Sequence, residues 1–193
     1  MTTLATPQIS PTAFVDPSAT ILGDVVIGDD VYVAPNASIR ADEPGSRIVI
    51  GPQCNVQDNV VIHALRGSTV RVGFGTTLAH GAIVHGPCAI GEGCFIGFGT
   101  VVFRCTLMDR VVVLHRALVS QTLIPTSRMV ATGAVIEGGL NGADISEVPE
   151  HICRFVDSVR RANQELVRMY GREREELTRA GSREQEALYQ QEQ

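Results

Sequence analysis

The stretch "VGFGTTLAHGAIVHGPCAIGEGCFIGFGTVV", residues 72–102, sets Val72, Leu78, Val84, Ile90, Ile96 and Val102 six positions apart without a break. No helix can bury such a series on one side, because its side chains repeat every 3.6 residues. A six-residue unit suits a short strand followed by a tight turn. Three units of this kind close a triangular coil of about 18 residues, and stacked coils form a parallel β-solenoid. The series extends outward in both directions. Before it come Val15, Ile21, Ile27, Val33 and Ile39, then Ile50, Val56 and Ile62; after it, and out of phase, come Leu107, Val113 and Val119, then Ile124, Val130 and Ile136. The repeated Val and Ile are expected to stack inside the prism at the strand spacing of about 4.8 Å. Small or β-branched residues four positions later, among them Cys54, Cys88 and Cys94, fill corners where a large side chain would collide. These cysteines read as small buried hydrophobes.

The solenoid is expected to occupy residues 1–140. The segment "EGGLNGADISEVPEH" then leads the chain away through Gly and Pro. A helix follows, with Ile152, Phe155, Val156, Val159, Asn163, Leu166, Val167 and Tyr170 on one stripe that can lie along a face of the prism. Linker, helix and a charged tail beyond Gly171 make up residues 141–193, and the tail reads as a frayed, solvated helix.

With 193 residues, 44% of them hydrophobic, and a formal charge of −5, the chain can bury a core without staples. It carries no basic cluster outside its C-terminal stretch, which excludes nucleic acid and anionic membrane as expected partners. No apolar run approaches a membrane span, and "MTTLATPQISPTAF" lacks the features of an export signal, so a cytoplasmic protein with reduced cysteines is expected. Five cysteines without a CxxC pair form neither a disulfide framework nor a zinc ribbon. The Asn36-Ala37-Ser38 sequon then has no glycan to carry. "VGFGTT" and "IGEGCFIGFG" lack the strand-to-helix context of a phosphate loop, and the turns of the repeat account for their glycines.

Folding the repeat brings distant residues together. Ile62 and Val72 are ten apart instead of six, so "LRGS" is a four-residue bulge, after which the register is restored. His63 follows Ile62 and His85 follows Val84, which places one imidazole above the other on the third face. Arg40, after Ile39, takes the same slot one coil below, beyond a longer bulge in "ADEPGSR". On the second face Asp58 and His80 form another column, with Gln57 beside it, around a corner of the prism. Imidazoles one strand apart can lean together on one ion with Zn–N of about 2.0–2.1 Å. His80 can join them from a neighbouring subunit if threefold packing sets the second face of one chain against the third face of the next. His115 repeats the His80 slot two coils later, but Phe103 continues the other column there. His115 and His151 are read as non-ligands.

In "RADE" (40–43), "NVQDNVVIHAL" (55–65), "AHGAIVHGPCAIGEGCFIGFGTVVF" (79–103) and the helical "ANQEL" (162–166), the sequence resembles the γ-class carbonic anhydrases, most closely the branch with the N-terminal domain of the carboxysome protein CcmM. The resemblance spans about residues 10–170. It implies a left-handed parallel β-helix and a homotrimer, the left hand coming from the family because the spacing fixes no hand. It implies zinc, with iron or cobalt as alternatives, bound by His63 and His85 of one subunit and His80 of the next, with one position open for a water whose hydroxide would attack carbon dioxide to give bicarbonate. It further implies that Gln57 orients the attacking hydroxide, that Asn163 helps hold carbon dioxide or bicarbonate, and that Glu43 accepts a proton. Arg40 and Asp42 match an interfacial ion pair, with Asp58 as a further interface partner.

The sequence departs from the family in two respects. No acidic loop follows His63; Ala64, Leu65 and Arg66 come instead, so fast proton export is not carried over from the family. No small-subunit-like module occurs in these residues and no cysteine pair lies beyond Tyr170, so neither scaffolding nor a redox switch is carried over. The alternatives to a carbonic anhydrase are a trimeric assembly subunit with a structural metal, and a hexapeptide acyltransferase working without one.

Overall fold

The computed structural model describes residues 4–140 and 145–191, with side chains described as far as residue 172. Three parallel sheets form the walls of a triangular prism. Face one contains the strands Val25–Ile27, Arg47–Ile50, Thr69–Val72, Cys88–Ile90, Thr106–Leu107 and Leu123–Ile124, face two those from Phe14–Val15 to Arg128–Val130, and face three those from Thr20–Gly23 to Val135–Glu137. Every residue of the six-residue series from Ile27 to Ile136 points inward and is buried, while Val15 and Ile21 at the base are partly covered.

The strands are two to four residues long because each is cut off by a turn. Gly51, Gly73 and Gly91 show why the turn after face one needs glycine. A Cβ on Gly73 would lie 2.6 Å from the Gly91 carbonyl carbon, so these backbones stack too closely for any side chain. Cys54, Cys88 and Cys94 fill corners as expected, and Cys105 does the same directly above Cys88. Burial pushes the thiols of Cys54 to about 12 and of Cys88 and Cys94 to about 11.

Successive coils differ in length. Ile21 pairs with Ile39, 18 residues on; Ile39 with Ile62, 23 on; Ile62 with Val84, 22 on; and Val84 with Val102, again 18 on. Val102 with Val119 and Val119 with Ile136 then step by 17. All of the variation falls at the corner between face three and face one. There residues 42–46 and 65–68 bulge outward, and there the upper coils lose one residue, which is why the series changes phase after Val102 and Val119.

Two strands escape the reading of the repeat. Gln8–Ile9 pairs with Val26 and Ile27 and starts face one. Ile145–Glu147, in the segment expected to be a bare linker, pairs antiparallel with Arg128–Val130 and covers the upper edge of face two. Residues 141–144 of that segment lie outside the described residues. The helix Glu150–Gln191 then runs back along face two. Ile152, Val156 and Val159 pack on Ala79, Phe95 and Val112, while Val167, Leu166 and Tyr170 pack on Tyr32 and Ala34. Phe155 sits at the margin of the stripe, 40% exposed, with its ring edge against Phe95. Burial, then the charge of Tyr170, pushes the Tyr32 phenol up to about 12. The helix continues without a break past Gly171, and the tail side chains from residue 173 lie outside the described residues.

Candidate metal centre

The two columns stand at opposite ends of face three. His63 and His85 are the last residues of their strands and are register partners, with Arg40 paired to His63 from below and Phe103 to His85 from above. Nδ1 of His63 lies 3.1 Å from Nε2 of His85, the rings meeting edge to face. Nε2 of His63 faces two carboxylates that the 42–46 bulge turns back over the column, Asp42 at 3.5 Å and Glu43 at 3.6 Å. Arg40 Nη1 lies 3.7 Å from Asp42, and the backbone N–H of Arg66 donates to Glu43 Oε2 at 2.7 Å. The two bulges therefore clasp each other, and Glu43 is fixed by the backbone of the second.

Both imidazoles are partly buried. Nδ1 of His85 is buried with no hydrogen-bond partner. Burial, then the neighbouring His63, lowers its pKa, so its imidazole is held neutral with a lone pair available.

At the other end, Asp58 and His80 each precede a residue in the left-handed region, Asn59 at φ 58° and Gly81 at φ 68°, so both project from the same corner. Asp58 Oδ2 accepts from His80 Nδ1 at 2.8 Å, and the His80 backbone N–H donates to Gln57 Oε1 at 3.2 Å. A carboxylate on Nδ1 fixes the imidazole tautomer and leaves Nε2 free, as in the outer shell of many histidine metal sites. His80 is half exposed, with its ring 5.5 Å from that of Phe98 on the next coil.

The five positions from His80 to His85 run along face three and separate the two corners by roughly 15 Å. Among the described residues of one protomer, no three His, Cys, Asp or Glu side chains are arranged so that they could hold a metal ion by themselves. Each protomer thus carries two different clusters, one with two imidazoles and two carboxylates, the other with one carboxylate-braced imidazole and an amide. The donors suit a borderline divalent ion: nitrogens held at 2.0–2.1 Å in a tetrahedral site lie about 3.3 Å apart, close to the His63–His85 separation, and the thiols of Cys54, Cys88, Cys94 and Cys105 are in the core.

Asn163 is not brought to either cluster within the protomer. It is buried against face two, and its Nδ2 donates to Val159 O of its own helix at 2.8 Å. His115 takes the His80 slot two coils on, with Phe98 between the two histidines; Phe98 is stacked on His115 at 4.3 Å and its N–H donates to His115 Nδ1. His151 is exposed at the start of the helix. Missed in the sequence were Asn55, whose amide is buried with both polar atoms unpartnered, and Thr77, its register partner, with an unpartnered hydroxyl. Both lie under the helix, two residues before Gln57 and Ala79. A polar residue at an outward position directly before an inward Val56 or Leu78 was the only available signal, and it is equally the mark of a solvent-exposed face.

Comparison with known proteins places this geometry. The family model for the bacterial transferase hexapeptide (six repeats) matches residues 6–41 and 69–104, leaving out the stretch that holds both bulges. The chain belongs to the hexapeptide-repeat family. Within that family it is 35% identical over 163 residues to a carbonic anhydrase of Methanosarcina thermophila, covering 75% of this chain and 66% of that protein. It is 37% identical over 173 residues to the carboxysome assembly protein CcmM of a Nostoc species, covering 84% of this chain and 31% of that one. The chain thus spans about two thirds of the first relative and about a third of the second. A putative acetyltransferase of Bacillus cereus shares the fold with a TM-score of 0.69 at 24% identity, covering 86% of this chain and 91% of that one. Among the described residues of this hexapeptide-repeat protein, no helix is long and apolar enough to cross a membrane.

Proposed function

We propose that this protein is a carbonic anhydrase that hydrates carbon dioxide reversibly at the subunit boundaries of a homotrimer. His63 and His85 of one protomer and His80 of the next would hold zinc, or iron or cobalt in its place. The observation that carries this reading is the pair of unlike half-sites at the two ends of face three, each incomplete and each with what the other lacks. Cyclic packing brings such ends together once at every interface. The likeness to the Methanosarcina carbonic anhydrase supports the choice of reaction.

When bound, the cation would supply the Lewis acidity that brings the pKa of a water ligand to about 7. The chain's own groups do the rest. Asp58 keeps the Nε2 lone pair of His80 directed outward, and burial keeps His85 neutral. Gln57, with its carbonyl oxygen held by the His80 amide, keeps its NH2 group free to orient the attacking oxygen. Glu43, anchored through Oε2 on Arg66, has Oε1 toward the histidine column and accepts the proton there. Arg40 and Asp42 brace the same corner. Asn163 donates one Nδ2 hydrogen to Val159 O and keeps the other, with Oδ1, to hold carbon dioxide or bicarbonate.

A second reading is favoured by the CcmM likeness: a trimeric assembly subunit in which the metal only joins subunits. Metal analysis, sedimentation and stopped-flow carbon dioxide hydration on anaerobically metal-loaded protein separate the two. A trimer with about one metal per chain and hydration above the buffer rate supports the enzyme. Metal without hydration favours the assembly subunit, and acyl transfer by metal-free protein would favour the acyltransferase relationship of the fold.

A further inference from the structure

Face one carries a groove of about 320 Å³ that belongs to neither half-site. The register of the sheet explains its shape. Thr69 and Arg71 form one wall, Pro87 and Ala89 the floor, and Arg104 and Thr106 the other wall, since Arg71 pairs with Ala89 and Ala89 with Thr106 on consecutive coils. The methyl of Ala89 between two longer side chains gives the depth, and the walls stand two strand spacings apart, about 10 Å.

The charge in this groove is unbalanced. Among the described residues neither Arg71 nor Arg104 lies within ion-pair distance of a carboxylate, whereas Arg47, on the same face one coil below Thr69, is paired with Asp24 at 3.0 Å. Arg104 is held at the rim by its own neighbour, the guanidinium lying 5.2 Å from the Phe103 ring centroid. In a chain of formal charge −5, two arginines lining one small groove, each with a threonine two residues away on its own strand or corner, form a complement to an oxyanion. The groove is too small for a large ligand.

We propose that this groove binds a phosphate-class oxyanion, either free phosphate or the phosphoryl group of a small metabolite, between Arg71 and Arg104. Its binding requires neither the metal nor turnover, so it can fail or hold independently of the carbonic anhydrase reading. The test is a titration of the full-length protein with inorganic phosphate, followed by amide and arginine side-chain NMR shifts at constant ionic strength. Saturable shifts confined to residues 69–71, 87–89 and 104–106, with Kd on the order of 1 mM, are expected for two charge-assisted contacts on an open surface. The double variant R71A/R104A, both positions exposed, should keep its melting temperature and bind about tenfold more weakly or worse, and R71K/R104K should fall between. Tighter binding of glycerol 3-phosphate than of phosphate would assign the phosphoryl group of a metabolite; equal binding would assign the free anion. Absence of saturation, equal shifts with chloride, or shifts that persist in R71A/R104A would overturn the proposal.

Discussion

The coils that step by 23 and 22 residues and those that step by 17 are built on the same core. Ile62 and Val84 in the wide part and Val102 and Val119 in the narrow part are all fully buried and stack in one ladder. They differ at a single corner. In the wide coils the extra residues fold back as two clasped bulges and set Asp42 and Glu43 over His63 and His85. In the narrow coils the same column continues as Phe103, Ser120 and Glu137, and no loop is left to cover it. The ladder of inward side chains tolerates insertions at a turn because the strands on either side regain their register, so chemistry can be added there without disturbing the core.

The comparison is broken most directly by exchanging histidines. His63→Ala or His85→Ala should abolish metal retention and bring carbon dioxide hydration down to the uncatalysed rate, while His115→Ala in the narrow coils should leave both as they are. Loss of activity in His115→Ala would mean that the corner bulges are not what separates the two regions.

The shared core is tested by Gly73→Ala, which forces a Cβ to 2.6 Å from the Gly91 backbone. Urea unfolding should show a loss on the order of 3 kcal/mol, against about 1 kcal/mol for Gly133→Ala, where a left-handed φ is the only cost. Equal losses would mean that the coils do not stack as tightly as described.

The brace on the second half-site gives a smaller effect. Asp58→Asn should weaken metal binding by about 10- to 100-fold, read by competition with a chelator, with little change in melting temperature. The Phe98–His115 stack in the narrow coils contributes only to stability, and His115→Ala should cost about 1 kcal/mol through the lost ring contact and the freed Phe98 N–H.

The smallest effect at neutral pH comes from Tyr32, under the helix on the wide side. Its folded pKa of about 12 lies above the ordinary value of 10.0, so its contribution to stability is complete below pH 10 and is lost as pH rises through 12. Thermal melts should fall across that window, and Tyr32→Phe should flatten the fall. An unchanged slope in Tyr32→Phe would place the alkaline transition elsewhere.

Much of this was legible in the residues. Ile62 and Val72 stand ten apart, which located the bulge, and the bulge put His63 under His85. The pairing of Asp58 with His80 followed from the same count. The clasp between Glu43 and Arg66 was not legible, because bulges have no period and their path depends on what each finds in the other. Nor was the antiparallel strand Ile145–Glu147, whose three residues carry no pattern of their own and pair only because the edge Arg128–Val130 is open to them. The stripe on the helix foretold its packing, yet Asn163 within it turned its amide back to Val159.

By itself the sequence determined the prism, the stacking of its coils and the membership of the two columns, since a six-residue period of inward side chains leaves the backbone no other way to bury them. Only the tertiary structure decided that the columns stand a whole face apart, that Glu43 is pinned by a backbone amide and that His85 Nδ1 is buried without a partner. Those outcomes depend on distances and enclosure, which arise when separate coils meet and which no spacing along a chain encodes.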